Sequence, residues 1–154
     1  MRFEELEYKQ RQKLFKRVHK LLNIELFNGC LHDIPIDLCN INKALPDGSE
    51  DECSACFRLT DGANPQILFS LEFEDDISAL QTQKEQKIML VGVMLHEMIH
   101  QYCYENNIDD KNHSPAWQAC AKEHGLIRVY EDGEPMHEEL TLLPAFLAYN
   151  LQMR

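Results

Sequence analysis

The sequence has no apolar run approaching the roughly 18 residues that a helix needs to cross a bilayer. Its N-terminus also lacks the basic stretch, apolar segment and small-residue cleavage site of a secretion signal. No internal repeat or low-complexity linker divides the 154 residues, of which 44% are hydrophobic. A chain of this length and composition suits one compact unit with its own core. We therefore expect one intracellular domain over residues 1–154, cytoplasmic or nuclear, with its core over about 10–130 and a C-terminal extension over 131–154.

Cysteine pairs suited to a disulfide framework or a zinc ribbon are also scarce. Because we expect an intracellular chain, we predict that its six cysteines stay as thiols. Cys53 and Cys56 form a C-x-x-C pair, which Cys39 and His32 could complete as a structural zinc site. The absence of a second such pair and the strand-like residues 55–59 argue against that interpretation.

Basic residues are few and unevenly placed. The formal net charge is −11, although the first 20 residues carry seven Lys or Arg against three acids. An acidic surface repels phosphate backbones, so the composition does not support nucleic-acid binding. The basic face of the first helix is more typical of a solvated helix surface than of a DNA contact.

The most informative motif is His96-Glu97-Met98-Ile99-His100. Histidines four residues apart share one face of a helix, and their imidazoles can reach one zinc ion. Glu97 would then lie beside the metal, placed to take a proton from a water whose pKa the metal lowers. The apolar run from residue 88 to 95 predicts that this helix is largely buried. Buried ionisable groups need partners, which favours a metal site over two core histidines.

A catalytic zinc usually takes a third protein ligand. The metzincin pattern is excluded because Cys103 and Asn106 stand where it requires glycine and histidine. A carboxylate on a later helix, Glu123, is one candidate. His113 is the better one, because it follows a polar loop and precedes a helix that opens at Pro115.

His-Glu-Met-Ile-His, followed after the loop by His-Ser-Pro-Ala-Trp, resembles the active site of the SprT-like zinc metalloproteases, the family of Spartan-like protease domains. The resemblance covers roughly residues 10–130. It implies a zincin-like fold with one Zn²⁺ per chain, held by His96, His100 and His113, and Glu97 as the catalytic acid and base. It also implies action on DNA-associated proteins, which the net charge does not favour.

The chain departs from the family pattern at three points. Gln101 stands where the family often has alanine, and Ser114 replaces the usual glycine after the third histidine. No cysteine follows Cys120, so the C-terminal zinc ribbon of many members is missing. A catalytic domain without the nucleic-acid-binding appendage is therefore expected.

The hydrophobic pattern predicts an α+β fold with helices packed on a small, mainly antiparallel sheet of three or four strands. A strand over residues 66–71 could lie at the sheet edge beside the metal and pair with an extended substrate. The tail over 141–153 is expected to be a helix that covers the core, or one that binds a partner. In the first half of the chain, the predicted elements are a helix over 3–27 that Gly29 terminates, a strand over 34–41 and a hairpin of 55–59 and 66–71. They are followed by a connecting segment over 73–83, the motif helix, the helix from Pro115 and a short strand over 127–130.

These observations predict a zinc-dependent metalloendopeptidase. Arg128 and Tyr130 are weak candidates for stabilising the oxyanion. The alternative is a non-catalytic interaction module with the same fold, in which zinc is structural or vestigial.

Overall fold

The structure is a computed structural model that describes residues 1–38 and 54–154. Within these residues, helices and strands occur in separate runs along the chain, and the α+β class predicted from the sequence is confirmed. A 3-10 turn over Phe3–Glu5 precedes the first helix. The helices are α1 (Tyr8–Phe27), α2 (Leu71–Ala79), α3 (Gln83–Glu105), α4 (Pro115–Glu123) and α5 (Leu142–Tyr149). The strands are β1 (Ile36–Leu38), β2 (Ala55–Thr60), β3 (Asn64–Phe69), β4 (Leu126–Glu131) and β5 (Glu134–Leu140).

The first predicted helix, over 3–27, is divided into the 3-10 turn and α1. It ends where expected, because Asn28 and Gly29 take left-handed φ values of 53° and 71°. The N–H groups of both residues donate to the carbonyl of Asn23, which closes the helix end. The apolar side chains that α1 buries in the core are Leu14, Phe15, Val18, Leu22 and Phe27.

The predicted hairpin is formed by β2 and β3, which pair antiparallel from Ala55 opposite Phe69 to Thr60 opposite Asn64. At its turn, Gly62 has a φ of 74°, a left-handed value that glycine adopts without steric cost. Strand β1 is shorter than the predicted strand over 34–41, of which residues 39–41 lie outside the described part of the chain.

The prediction that residues 66–71 form the sheet edge is wrong. The strand order is β1-β3-β2, so β3 lies in the centre, parallel to β1 and antiparallel to β2. Strand order depends on long-range pairing that the local pattern of one strand does not encode. The strand next to the motif helix is β2, which packs on α3.

The segment interpreted as a connection over 73–83 contains most of helix α2, which is a second correction. Ser70 caps this helix, since its hydroxyl accepts a hydrogen bond from the N–H of Phe73 at 3.1 Å. Acidic Glu72 and Glu74 occupy its first turn, where they complement the helix dipole.

Helix α3 carries the motif and is buried on most of its circumference, as the sequence predicts. Thr82 caps its N-terminus by accepting a hydrogen bond from the N–H of Glu85. The core cluster joins its apolar side chains to those of the other helices. That cluster includes residues from Phe3 to Met153, although a single domain over 1–154 stays a prediction.

Gln101, the departure from the family pattern within the motif helix, links α1 to α3. Its side chain is fully buried and lies 2.9 Å from Nε2 of His19. Its amide nitrogen donates to the carbonyl of His32 at 2.8 Å and to the carboxylate of Glu105 at 2.7 Å. Alanine could form none of these bonds, so in this chain Gln101 stabilises the packing of the motif helix.

The last two strands form a separate antiparallel sheet, so the strands in the described residues are divided three and two. The predicted strand over 127–130 is confirmed as β4, whereas β5 had no clear signal in the sequence. Their register shifts between Val129 and Tyr130, and Asp132 and Gly133 form the turn with φ values of 51° and 81°. The pairing places Arg128 opposite Glu138.

The predicted C-terminal helix is confirmed as α5, and it packs on α3 and β5. Pro144 and Ala148 are buried, while Leu142 and Phe146 are 86% and 58% exposed. One face of α5 therefore covers the core and another is open. Within the described ranges, no helix has the length and apolarity to cross a membrane.

We predict that Gly125→Ala destabilises the fold more than Gly133→Ala does. Both glycines have a positive φ, so both variants carry backbone strain. Only at Gly125 would the added Cβ meet close atoms, at 2.7 Å from Cγ of Pro144 and 3.1 Å from Oγ1 of Thr141. We expect the first variant to lose about 2 kcal/mol more stability in urea unfolding, because overpacking adds to strain. Equal losses of stability in the two variants would contradict close packing of the start of α5 against Gly125.

Candidate metal centre

Both histidines of the motif lie on the same face of α3, because the helix continues through the whole motif. His96 and His100 lie one turn apart, with ring centroids 5.1 Å from each other. Both side chains are mostly buried, at 18% and 17% exposed. The i,i+4 prediction is therefore met by the geometry.

His113 completes the cluster through the loop between α3 and α4. Asn112 and His113 both take left-handed φ values, 54° and 50°, which non-glycine residues adopt at some cost. Ser114 then caps α4, with its hydroxyl accepting a hydrogen bond from the N–H of Trp117 at 3.1 Å. This cap gives a local reason for serine where the family usually has glycine.

The Nε2 atoms of the three rings converge. Nε2 of His113 lies 3.0 Å from Nε2 of His96 and 3.3 Å from Nε2 of His100. Nitrogen ligands of a tetrahedral zinc site, each about 2.0–2.1 Å from the metal, lie roughly 3.3 Å apart. The three side chains could hold a metal ion.

Two carboxylates contact the Nδ1 atoms of two of these rings, so their Nε2 atoms stay directed at the cluster. Glu138 lies 2.7 Å from Nδ1 of His96, and Asp110 lies 2.7 Å from Nδ1 of His100. A proton on Nδ1 donated to a carboxylate leaves Nε2 with a free lone pair for a metal. Sequence reasoning missed both residues. Asp110 stands in the polar loop that precedes His113, whereas Glu138 comes from the unpredicted strand β5.

Trp117 of α4 packs against all three rings. Its ring centroid lies 4.8 Å from that of His96, 5.1 Å from that of His100 and 4.6 Å from that of His113. Trp117 is fully buried, so its indole gives the three rings a rigid apolar surface to pack against.

The electrostatics of the cluster favour neutral imidazoles at two of the three positions. Burial, and after it the electrostatic effects of His96, Arg128 and His100, lower the pKa of His113 to about 4. Burial also lowers the pKa of His100. At His96 burial acts in the same direction, but the hydrogen bond to Glu138 and the negative charges of Glu97 and Glu138 together outweigh it, and the pKa is raised. Neutral imidazole is the form that binds a metal.

Glu97 lies beside the cluster and does not join it. Its side chain is 7% exposed, and Oε1 is 3.9 Å from Nε2 of His96. Burial raises the pKa of Glu97 to about 7, against the opposing effects of His96 and of a backbone hydrogen bond from Phe57. Its Oε2 atom is buried and has no hydrogen-bond partner among the described residues. A carboxyl group of this kind can accept and release a proton near neutral pH.

The other candidates from the sequence have different places. Glu123 ends α4 and is not in the histidine cluster. Arg128 lies close enough for its charge to act on His96 and His113, whereas Tyr130 is 44% exposed.

The suggested cysteine site lies largely outside the described residues. Cys39 and Cys53 belong to the undescribed range, so that prediction stays untested. His32, the suggested fourth ligand, has its Nδ1 atom 2.9 Å from Glu105.

The segment that carries the three histidines resembles a known protein family. Residues 72–133 match the SprT-like family. The SprT-like segment runs from α2 to the turn after β4, and it contains the three histidines and Glu97. The match confirms the resemblance there and fits a metalloprotease-type SprT-like domain, while the resemblance of residues 10–71 stays a prediction. Glu138 lies beyond the SprT-like segment. No curated protein and no solved structure shows significant similarity to the chain.

We predict that Glu138→Gln weakens metal binding about 10–100-fold, the usual cost of losing a carboxylate that orients a ligand histidine. Glu139→Gln is the matched control, because Glu139 contacts His137 and none of the three clustered histidines. Competition with a chromophoric chelator would measure the affinity of each variant for Zn²⁺. Equal affinities in the two variants would show that Glu138 does not support the metal centre.

Proposed function

We propose that the protein is a zinc-dependent metalloendopeptidase of the SprT-like type. The observation that carries the proposal is the convergence of three imidazole rings beside a buried carboxyl group, with Nε2 of His113 lying 3.0 Å from that of His96 and 3.3 Å from that of His100. A catalytic zinc commonly takes three protein ligands and leaves a fourth position for water or substrate. The match of residues 72–133 to the SprT-like family supports the same proposal.

The donor set favours zinc over harder divalent ions. Imidazole nitrogen suits zinc, whereas magnesium and calcium prefer oxygen ligands. His96, His100 and His113 would hold the ion, with Glu138 and Asp110 orienting the first two rings. Zinc, when bound, polarises a scissile carbonyl and lowers the pKa of a water molecule.

Glu97 would move the proton in this reaction. Its carboxylate accepts a proton from the attacking water, and the same carboxyl group then gives that proton to the leaving amine. A pKa raised to about 7 suits both halves of this cycle at neutral pH. Arg128 is the better placed of the two oxyanion candidates, because its positive charge already acts on the histidine cluster.

We propose protein substrates whose cleavage does not require DNA. The net charge is −11, and two of the basic side chains of α1 are engaged within the fold. Arg11 pairs with Glu74 at 3.0 Å, and Arg17 donates to the carbonyl of Gln152. Cleavage assays with and without single-stranded DNA should give equal rates, and strong activation by DNA would contradict this part of the proposal.

We predict about one zinc per chain in the wild type and a sharp loss in His113→Ala. Glu123→Gln is the control, because Glu123 was the rival third ligand and lies outside the cluster. Elemental analysis of untagged proteins prepared side by side would measure the zinc content. Zinc retained without His113 would contradict the three-histidine site, and loss of zinc in Glu123→Gln would identify the carboxylate as the ligand.

We predict that Glu97→Gln keeps its zinc and its fold but cleaves an unfolded protein substrate about 100- to 10,000-fold more slowly. This is the usual contribution of a general acid–base group. The comparison also tests the alternative of a non-catalytic interaction module. If the wild type and Glu97→Gln behave alike in every cleavage assay while both hold zinc, the zinc site is structural or vestigial.

A further inference from the structure

A cavity of about 670 Å³ opens from the candidate metal centre along the N-terminal half of α3. Its volume lies within the range of known ligand pockets. His96 and Glu97 line one end of the cavity, so a group bound there would touch the residues proposed to act on the scissile bond. The mechanism proposed above leaves this cavity without a role.

The walls of the cavity are mainly apolar. On α3, Ile88, Met89 and Val93 line one side, and all three are only half-buried. Leu140 of β5 and Tyr149 of α5 are among the residues on the other side. An apolar ligand group bound in this concave surface would cover the half-buried side chains and remove their apolar surface from water, which is favourable.

Apart from His96 at the metal end, the charged side chains that line the described part of the cavity are acidic. Glu97, Glu138 and Glu139 contribute carboxyl groups, and no lysine or arginine is present in the described lining. An acidic substrate side chain would therefore meet like charges along the cavity, and the imidazole of His96 is already hydrogen-bonded to Glu138.

The wall formed by β5 and α5 comes from residues beyond 133, outside the SprT-like match. The C-terminal segment thus closes one side of a cavity whose other side belongs to the metal-bearing helix. Tyr149 is further tied to that helix, since Nζ of Lys84 lies 4.8 Å from its ring centroid.

Substitutions at Gly92 would change the volume of the cavity directly. It lines the cavity one helical turn before His96, and an added Cβ would meet no atom within 4 Å. Its φ is not left-handed, so a side chain at this position brings no backbone strain. Replacing a helical glycine by alanine or leucine also raises helix propensity.

From these features we propose that the cavity is the specificity pocket of the enzyme. It takes a large apolar side chain, such as leucine, methionine or phenylalanine, from the substrate residue next to the scissile bond, and it rejects acidic side chains. This inference rests on the proposed peptidase function and deepens it by naming the substrate class.

The first test uses peptide mixtures in which one residue varies, incubated with the zinc-loaded wild type, Gly92→Ala and Gly92→Leu. The wild type should cleave beside large apolar residues at least tenfold faster than beside glycine or aspartate. Gly92→Leu should remove that preference and favour small residues, and Gly92→Ala should have an intermediate effect. Cleavage by the wild type without side-chain preference, or an unchanged preference in Gly92→Leu, would overturn the pocket and leave the proposed peptidase intact.

A second test separates the pocket from catalysis. Calorimetry would compare zinc-loaded wild type and Gly92→Leu for binding of the N-acetylated hydroxamates of leucine, glycine and aspartate, which chelate zinc without being cleaved. The leucine compound should bind the wild type at least tenfold more tightly than the glycine compound and lose this advantage in Gly92→Leu, while the glycine compound binds both proteins equally.

A retained leucine preference in a protein that cleaves nothing would contradict the peptidase but support an apolar ligand pocket. Equal binding of the three hydroxamates would overturn the pocket. Failure of the wild type to bind zinc would overturn both proposals.

Discussion

The structure depends on bringing three imidazoles together, with Nε2 of His113 within 3.3 Å of Nε2 of both His96 and His100. Such lone pairs repel unless a proton or a cation lies between them, and the pKa of His113, lowered to about 4, leaves this imidazole uncharged at neutral pH. Three separate parts of the chain meet this constraint. Helix α3 supplies two rings, the capped start of α4 supplies the third, and β5 supplies a carboxylate that orients the first ring.

This arrangement has a cost that metal binding would offset. Glu97 is buried with one oxygen lacking a described partner, and Asn112 and His113 hold left-handed backbone conformations. Each such feature typically costs on the order of 1–3 kcal/mol. A ligand that binds the folded state alone stabilises it, so the metal centre and the fold are energetically coupled. Trp117 holds the same three rings in place through apolar contact alone.

The features predictable from the sequence were those set by local spacing. Four-residue spacing placed His96 and His100 on one helical face, and the Asp-Gly turn indicated the hairpin of β2 and β3. Helix α2 was interpreted as a connection, although Ser70 followed by acidic residues is a local signal for a helix start. Long-range pairing was not predictable: the central position of β3 and the approach of Glu138 to His96 depend on which strands meet. The polar loop and the helix start at Pro115 favoured His113 over Glu123, but the left-handed backbone at His113 is not encoded by any periodic pattern.

The most direct test of the account is X-ray absorption at the zinc edge on the zinc-loaded protein. A centre built from His96, His100 and His113 predicts three imidazole nitrogens and one oxygen at about 2.0–2.1 Å, with no sulfur. The oxygen marks the position left open for water or substrate. Sulfur ligands at about 2.3 Å would contradict the account, because they would place the metal at cysteines and leave the three converging histidines without it.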